Sequence, residues 1–231
     1  MGVARNLGLP TAACTPLKQA GEDHAWALAV RRFDRQPLTD LQVNGHTIFG
    51  RLHQEDFCQA LGFGAGLKYE HEGGAYFKRC ADLVMDRSAR PALDINTLLD
   101  SLLLDYLLGN CDNHLKNYSL VYDASWQHVR LAPAYDKMCT LFYPRYATNM
   151  GIPLSVHLLH QELDQEGLAR CMELAGYTLA FAQHRLQRLA GGFDDALARA
   201  KAELEDGGCA VPSELSDCIK RCAEFTYNAI G

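Results

Sequence analysis

The 231 residues suffice for one sizeable domain or a tight two-lobed one, and 48% of them are hydrophobic, enough to bury a core. That composition excludes a disordered or fibrous chain. A net charge of −6 argues against a surface that coats nucleic acid, which calls for a basic patch, so no direct nucleic-acid binding is expected.

The nine cysteines are scattered without a C-x-x-C pair, whereas a zinc site wants two closely spaced pairs of Cys or His. They read as buried or surface thiols in a reducing cytosol, with Cys218 and Cys222 on one helix face. Met1-Gly2-Val3-Ala4-Arg5-Asn6 lacks the apolar core of a signal peptide, and its Asn6 stands where a myristoylation signal has Ser or Thr. No run of about 18 apolar residues exists to cross a membrane, so a cytoplasmic location is expected.

In chain order, Gly2 to Leu9 reads as the last turns of a helix, closed by Gly8 and Pro10. Two β-like runs follow, Ala13 to Lys18 and Ala25 to Phe33, joined by Gly21-Glu22-Asp23 as a hairpin. The second ends in Arg31-Arg32-Phe33-Asp34-Arg35, by residue type an ordinary strand end with charges on its wet face. Arg51 to Gly62 has helix character from Gln54 on. Gly62-Phe63-Gly64-Ala65-Gly66 reads as a flexible loop, because a phosphate-cradling loop needs a preceding strand and a Lys behind it. Tyr76 to Asp86 and Ile95 to Leu108 carry helical apolar spacing, with Pro91 between them. Tyr118 to Tyr122 and Gln127 to Ala132, joined at Asp123-Ala124-Ser125, read as a second hairpin. Lys137 to Leu154, with Tyr143, Pro144, Gly151 and Pro153, looks irregular. His157 and His160 are three apart but lack two more metal ligands, so both are expected at the surface. The rest is helical, over Glu162 to Leu174, Leu179 to Leu189, Asp194 to Leu204 and Ser213 to Ile230, separated by Gly176, Gly191-Gly192 and Gly207-Gly208.

The chemistry concentrates in Gly109-Asn110-Cys111-Asp112-Asn113-His114-Leu115-Lys116-Asn117, between the apolar run Leu98 to Leu108 and the hairpin. Asp112 and Asn117 lie five apart, and Asp136 lies nineteen beyond Asn117, just past the hairpin. Phosphoryl transfer needs a carboxylate to take the proton of the attacking hydroxyl, and an amide with a second carboxylate to hold Mg²⁺. A kinase catalytic loop places Asp and Asn at this D-x-x-x-x-N interval, with a metal-binding Asp further on. Asp112 is then the candidate base, Asn117 and Asp136 the candidate metal ligands, and Lys116 the offset for phosphate charge. Taken alone, D-x-x-x-x-N is as well explained by a turn; helix, polar loop, hairpin and Tyr-Asp together favour the site.

With these residues the sequence resembles the HipA family of bacterial serine/threonine kinases, the toxin halves of toxin–antitoxin pairs. Those proteins carry G-x-x-D-x-H-x-K-N and then P-x-Y-D, and Gly109, Asp112, His114, Lys116, Asn117, Pro133, Tyr135 and Asp136 stand in those places. Leu28 to Arg35 and Arg51 to Gly62 match as well, and the likeness runs from about the first residues to at least Pro144. The resemblance implies an α+β, protein-kinase-like fold. Residues 1–36 would be partial small-lobe strands and the hinge, and residues 37–231 a mostly helical C-lobe with the catalytic hairpin. It implies ATP and Mg²⁺ as cofactors. The nucleotide would lie against the hinge at Arg31, Arg32 and Phe33, and against His114, Leu115, Lys116, Asn117, Tyr135 and Asp136. It implies a protein substrate, an aminoacyl-tRNA synthetase in full-length relatives, and a DNA-binding, HipB-like antitoxin.

A kinase of this kind also needs a glycine-rich loop, a strand Lys and a helix Glu, which in the family precede the helix at Met1; this sequence has none of them. A truncated product, one half of a split protein with a complementary N-terminal subunit, and a start codon placed too late all fit. Each implies that the isolated chain binds ATP weakly and transfers little phosphate. A non-catalytic remnant that binds an antitoxin or a second subunit is the alternative. A small-molecule phosphotransferase of the aminoglycoside type is a third, though its loop reads H-G-D where this one has Asn-Cys before Asp112.

Overall fold

The computed structural model describes residues 1–19, 26–146 and 148–231. A short helix α1 (Gly2–Asn6) leads into the antiparallel pair β1 (Cys14–Lys18) and β2 (Trp26–Val30). The expected Gly21-Glu22-Asp23 turn lies outside the described residues. A second hairpin, β3 (Arg35–Val43) with β4 (His46–Arg51), has no counterpart in the sequence reading. It turns at Asn44-Gly45, both at positive φ (51° and 77°), the backbone of the tight primed turns that suit right-twisted strands.

The helix expected from Gln54 starts only at Phe57. Gln54–Asp56 is instead a strand, β5, because it completes a three-stranded antiparallel sheet with β6 (Ser119–Tyr122) and β7 (Val129–Leu131). Asp56 ends β5 and opens α2 (Phe57–Ala60) through a capping box with Gln59. Two helices follow, α3 (Tyr76–Arg87) and α4 (Pro91–Leu108), the second with proline in its first turn, where the missing N–H costs nothing. After an irregular stretch come α5 (Gln165–Leu174), α6 (Leu179–Ala190), α7 (Phe193–Asp206) and α8 (Ser213–Ile230).

Helix α4 is the axis of the core. Leu98, Leu99, Leu102, Leu103, Leu104, Tyr106 and Leu107 are all 0% exposed, so the helix is covered on every side, by α3, α6 and α8 among others. Each such leucine contributes about 1.5–3 kcal/mol of burial. Three acids interrupt the apolar surface, and all three are buried: Asp94, Asp100 and Asp105. Asp94 accepts from Ser88 Oγ, from the Arg130 guanidinium and from the Leu131 amide, tying the start of α4 to β7. Asp100 accepts from Arg185 and Arg188 of α6. Asp105 accepts from Asn110 Nδ2 at 2.8 Å, Tyr118 Oη at 2.5 Å and Lys137 Nζ at 2.7 Å.

His160 is not a surface residue as expected. It is buried, with Nε2 2.9 Å from the Tyr106 carbonyl at the end of α4, whereas His157 is exposed. All nine cysteines are free thiols. Among the described residues no helix is long and apolar enough to cross a membrane.

Two predictions follow from the buried charges. Replacing Lys137, whose ammonium burial pulls its pKa below the usual lysine value, leaves Asp105 an unpaired buried anion. Lys137→Met is expected to cost about 3–5 kcal/mol in urea unfolding, and the double variant with Asp105→Leu to recover most of it. Glu70 accepts from the Tyr76 amide at the start of α3, yet burial raises its carboxyl to about 7 from 4.5. The folded state then holds a proton that the unfolded state has lost, so stability falls as pH rises through that window. Thermal melts of wild type should show a fall between pH 4.5 and 7 that is reduced in Glu70→Gln.

Candidate active site

The polar loop after α4 is folded by its own side chains. Helix α4 ends at Gly109, whose φ of 69° suits glycine. A Cβ there would also lie 2.6 Å from Cys222 Sγ. Asn110 is fixed to Asp105, and the Cys111 amide donates to Thr140 Oγ1 at 2.7 Å. Asn113 is fully buried, its Oδ1 accepting from the amides of Gly151 (2.7 Å) and Ile152 (3.3 Å). Gly151 presses so closely that a Cβ would meet the His114 amide nitrogen at 2.6 Å. The Leu115 amide donates to the Lys68 carbonyl at 3.0 Å, while its side chain is 0% exposed in the core.

Two groups of the loop are left accessible. The Asp112 side chain is 39% exposed, and Lys116 is half-buried. Asp112 Oδ1 accepts from the Tyr69 phenol and lies 3.8 Å from His114 Nε2. Burial lowers the His114 pKa, against the opposing pull of Asp112 and, more weakly, Asp136. His114 Nδ1 is buried without a hydrogen-bond partner among the described residues. Asn117 donates from Nδ2 to the Asp112 carbonyl at 2.6 Å, which turns its amide oxygen away from that bond.

Asp136 arrives from the far side of the β6–β7 hairpin. It is exposed and sits at φ 56°, a left-handed conformation that Asp tolerates better than most residues. Its neighbours are fixed on both sides. Tyr135 Oη donates to the Lys116 carbonyl at 2.8 Å and lies 2.7 Å from Ser119 Oγ, and Lys137 is buried on Asp105. Burial raises the Tyr135 pKa to about 12, so its phenol remains a donor.

The segment after β2 meets this assembly. Phe33 stacks on Tyr135 with ring centroids 5.7 Å apart. Asp34 is buried and takes a two-point contact from Arg32 (2.8 and 2.6 Å) and a third from Arg35 (2.6 Å). The Arg32 contact foremost, opposed by burial, holds the Asp34 carboxyl at about 2. A cavity of about 340 Å³ opens here, lined by Arg31, Arg32, Phe33, Lys116 and Tyr135 together with Asp56 and others. So five of the residues singled out in the sequence share one cavity. Asp112, His114, Leu115 and Asp136 do not line it, and Asn117 lines a small cleft beside it with Tyr135. Asp34, Asp56, Ser119 and Tyr69 were not anticipated.

A metal ion held here would have few protein ligands. Among the described residues no three His, Cys, Asp or Glu side chains gather as a metal site. The two residues expected from the sequence to hold it, Asn117 and Asp136, carry an amide oxygen and a carboxylate. Two hard oxygen ligands suit Mg²⁺, which keeps several waters and takes phosphate oxygens besides one or two protein groups.

Comparison with known proteins places the chain in a family. The chain is 35% identical over 206 residues to the candidate kinase Y4mE of Sinorhizobium fredii, covering 89% of this chain and 46% of that protein. It is 26% identical over 214 residues to the serine/threonine-protein kinase toxin HipA of Shewanella oneidensis, covering 86% and 48%. The solved complex of HipA, HipB and operator DNA from Shewanella oneidensis MR-1 superposes with a TM-score of 0.80 at 22% identity, over 99% of this chain and 53% of that one. The Helicobacter pylori proinflammatory kinase CtkA matches with a TM-score of 0.56 at 11% identity, over 99% and 80%. The fold is therefore kinase-like and α+β, and the chain spans about half the length of the curated relatives it matches. A family model for the HipA-like C-terminal domain matches residues 1–203, and the chain belongs to that family.

Proposed function

We propose that this chain is the catalytic lobe of a serine/threonine kinase, transferring the γ-phosphate of ATP to a protein hydroxyl. The observation that supports the reading is the cavity lined by Phe33, Lys116 and Tyr135, where Tyr135 Oη holds the Lys116 carbonyl of the Asp112 loop and Asp136 is the next residue in the chain. Residues 1–36 serve as small-lobe strands and hinge, and residues 37–231 as the large lobe.

The adenine lies against Arg31, Arg32 and Phe33, whose backbone Asp34 holds still through its arginine contacts. Asp112 takes the proton of the attacking hydroxyl. Lys116 sets a positive charge beside the phosphates and lowers the energy of the charge that builds on them. His114 and Leu115 fix the loop between the two, one by its buried ring and the other by its core side chain. Asn117 and Asp136 would hold Mg²⁺, which when bound offsets the phosphate charge.

Partners follow from the family. HipA of Shewanella oneidensis is seen with HipB and operator DNA, and an antitoxin of that kind is proposed here too. The glycine-rich loop, Lys and Glu of the nucleotide clamp come from a complementary small-lobe segment. The β1–β2 pair offers it an apolar surface, with Leu28 63% and Val30 44% exposed. Nine free thiols fit work in a reducing cytosol. An aminoacyl-tRNA synthetase is the substrate to try first.

Calorimetry of the full chain with ATP is expected to show weak binding that requires Mg²⁺ and weakens in Asn117→Ala and Asp136→Ala. Asp112→Ala should keep that binding but lower phosphate transfer by about 10²–10⁴-fold, the usual worth of a general base. Transfer undiminished in Asp112→Ala would overturn the assignment of the base. No ATP binding with or without Mg²⁺ would favour a protein that works by binding partners alone.

A further inference from the structure

The segment 68–70 packs beside the Asp112 loop, and Tyr69 there reaches Asp112. Its backbone is held on both sides. The Lys68 carbonyl accepts from the Leu115 amide at 3.0 Å, and the Glu70 amide donates to the Gly151 carbonyl at 2.9 Å. The ring stands edge-on to His114, 5.0 Å between centroids and 82° between planes. Lys68 Nζ lies 4.8 Å from the ring centroid on Tyr69's face. A tyrosine 40% exposed is thus fixed from three directions, and its phenol hydrogen goes to Asp112 Oδ1.

A carboxylate offers two oxygens, and a general base uses one of them at a time. Among the described residues, Oδ1 has Tyr69 and the nearby His114, while Oδ2 accepts no hydrogen bond. Without a partner on Oδ1 the carboxylate of a half-exposed Asp turns freely about its last torsion, which is broad and roughly two-fold. With one, the two oxygens become different.

We propose that Tyr69 is a positioning residue for Asp112, holding Oδ1 so that Oδ2 is the oxygen that takes the substrate proton. This rests on the reading of Asp112 as the general base. In the step concerned, the substrate O–H proton passes to Oδ2 and the hydroxyl oxygen forms a bond to the γ-phosphorus. The bond from that phosphorus to the β,γ-bridging oxygen breaks, and ADP leaves with the electron pair. Burial first, and then Asp112, push the Tyr69 phenol above the usual range, so it stays a donor at any working pH.

Two measurements test this on the full chain. In the first, ring-¹³C tyrosine spectra are followed with pH. Tyr69, assigned by loss of its signal in Tyr69→Phe, should titrate later than exposed tyrosines, and Asp112→Asn should move it down toward the ordinary phenol range. An unmoved titration overturns the contact and the proposal. In the second, steady-state transfer from γ-³²P-ATP to dephosphorylated casein is compared among variants. Tyr69→Phe keeps the ring packing and removes only the hydroxyl, so it should lower kcat about 10-fold and leave KM for ATP and casein within about 2-fold. If Asp112→Ala abolishes transfer while Tyr69→Phe matches wild type, the role of Tyr69 falls and the kinase reading stands. If Asp112→Ala transfers like wild type, the base assignment falls and this proposal with it.

Discussion

One carboxylate, Asp105, joins the three stretches that carry the candidate chemistry. It lies on the last turn of α4, is 0% exposed, and takes Asn110, Tyr118 and Lys137 at once. Asn110 is two residues before Asp112, Tyr118 follows Asn117, and Lys137 follows Asp136. Each candidate residue is therefore one or two residues from a direct bond to the same buried group. Apolar side chains of similar volume would pack α4 as well and give comparable stability, since desolvating an ion pair consumes most of its attraction. They would lack the directional bonds that set three backbones in register.

The same device recurs around the lobe. Asp94 fastens β7 to the start of α4, and Asp100 fastens α6 to its middle. Asp34 does it for the segment after β2, where Arg32, Arg35 and, at 3.7 Å, Arg51 converge on one buried carboxyl. Tyr135 is the link between that segment and the loop, stacking on Phe33 with its ring and bonding the Lys116 carbonyl with its hydroxyl. Segment, loop and hairpin are thus positioned through side chains rather than through one continuous sheet.

Much of this was legible in the sequence where local chemistry decides it. The helices from Tyr76 onward emerge near their expected bounds because apolar spacing, Pro91 and the glycines act within a few residues. The β3–β4 hairpin was missed although Asn44-Gly45 is a strong turn signal, because the charged and polar residues around it give no clear alternation. Gln54–Asp56 reads as helix locally, and only pairing with β6, more than sixty residues on, makes it a strand. The polar loop marks itself in the sequence as a site or a turn, but not as a packed element, yet Asn110 and Asn113 are almost fully buried and build it. The D-x-x-x-x-N interval singles out Asp112, but nothing in it shows that Asn110 and Asn113 turn inward to hold the loop. Tyr69 had no signal at all, since its partner lies 43 residues away.

The core is distributed unevenly along the chain. Among the described residues, Val3, Ala4 and Leu9 alone of the main apolar cluster precede Phe57; the other members lie in α2 to α8, in β6 and in the segments that connect them. The two N-terminal hairpins add little to that core and leave Leu17, Leu28, Val43 and Phe49 between 51% and 63% exposed or close to it, at 51%, 63%, 52% and 51%. Helices α3 to α8 carry most of the buried apolar side chains, while the N-terminal residues reach the segment before and after Asp136 through Pro10 and Ala12, bonded to the Ala134 backbone, and the Met1 ammonium, which donates to the Lys137 carbonyl. Local stability differs in this way between parts of many proteins, and low-stability elements are the ones that move or bind. Here the division falls between β4 and β5, so the residues proposed as base and metal ligands stand on the well-packed part of the chain and the strands proposed as small-lobe on the sparsely packed one.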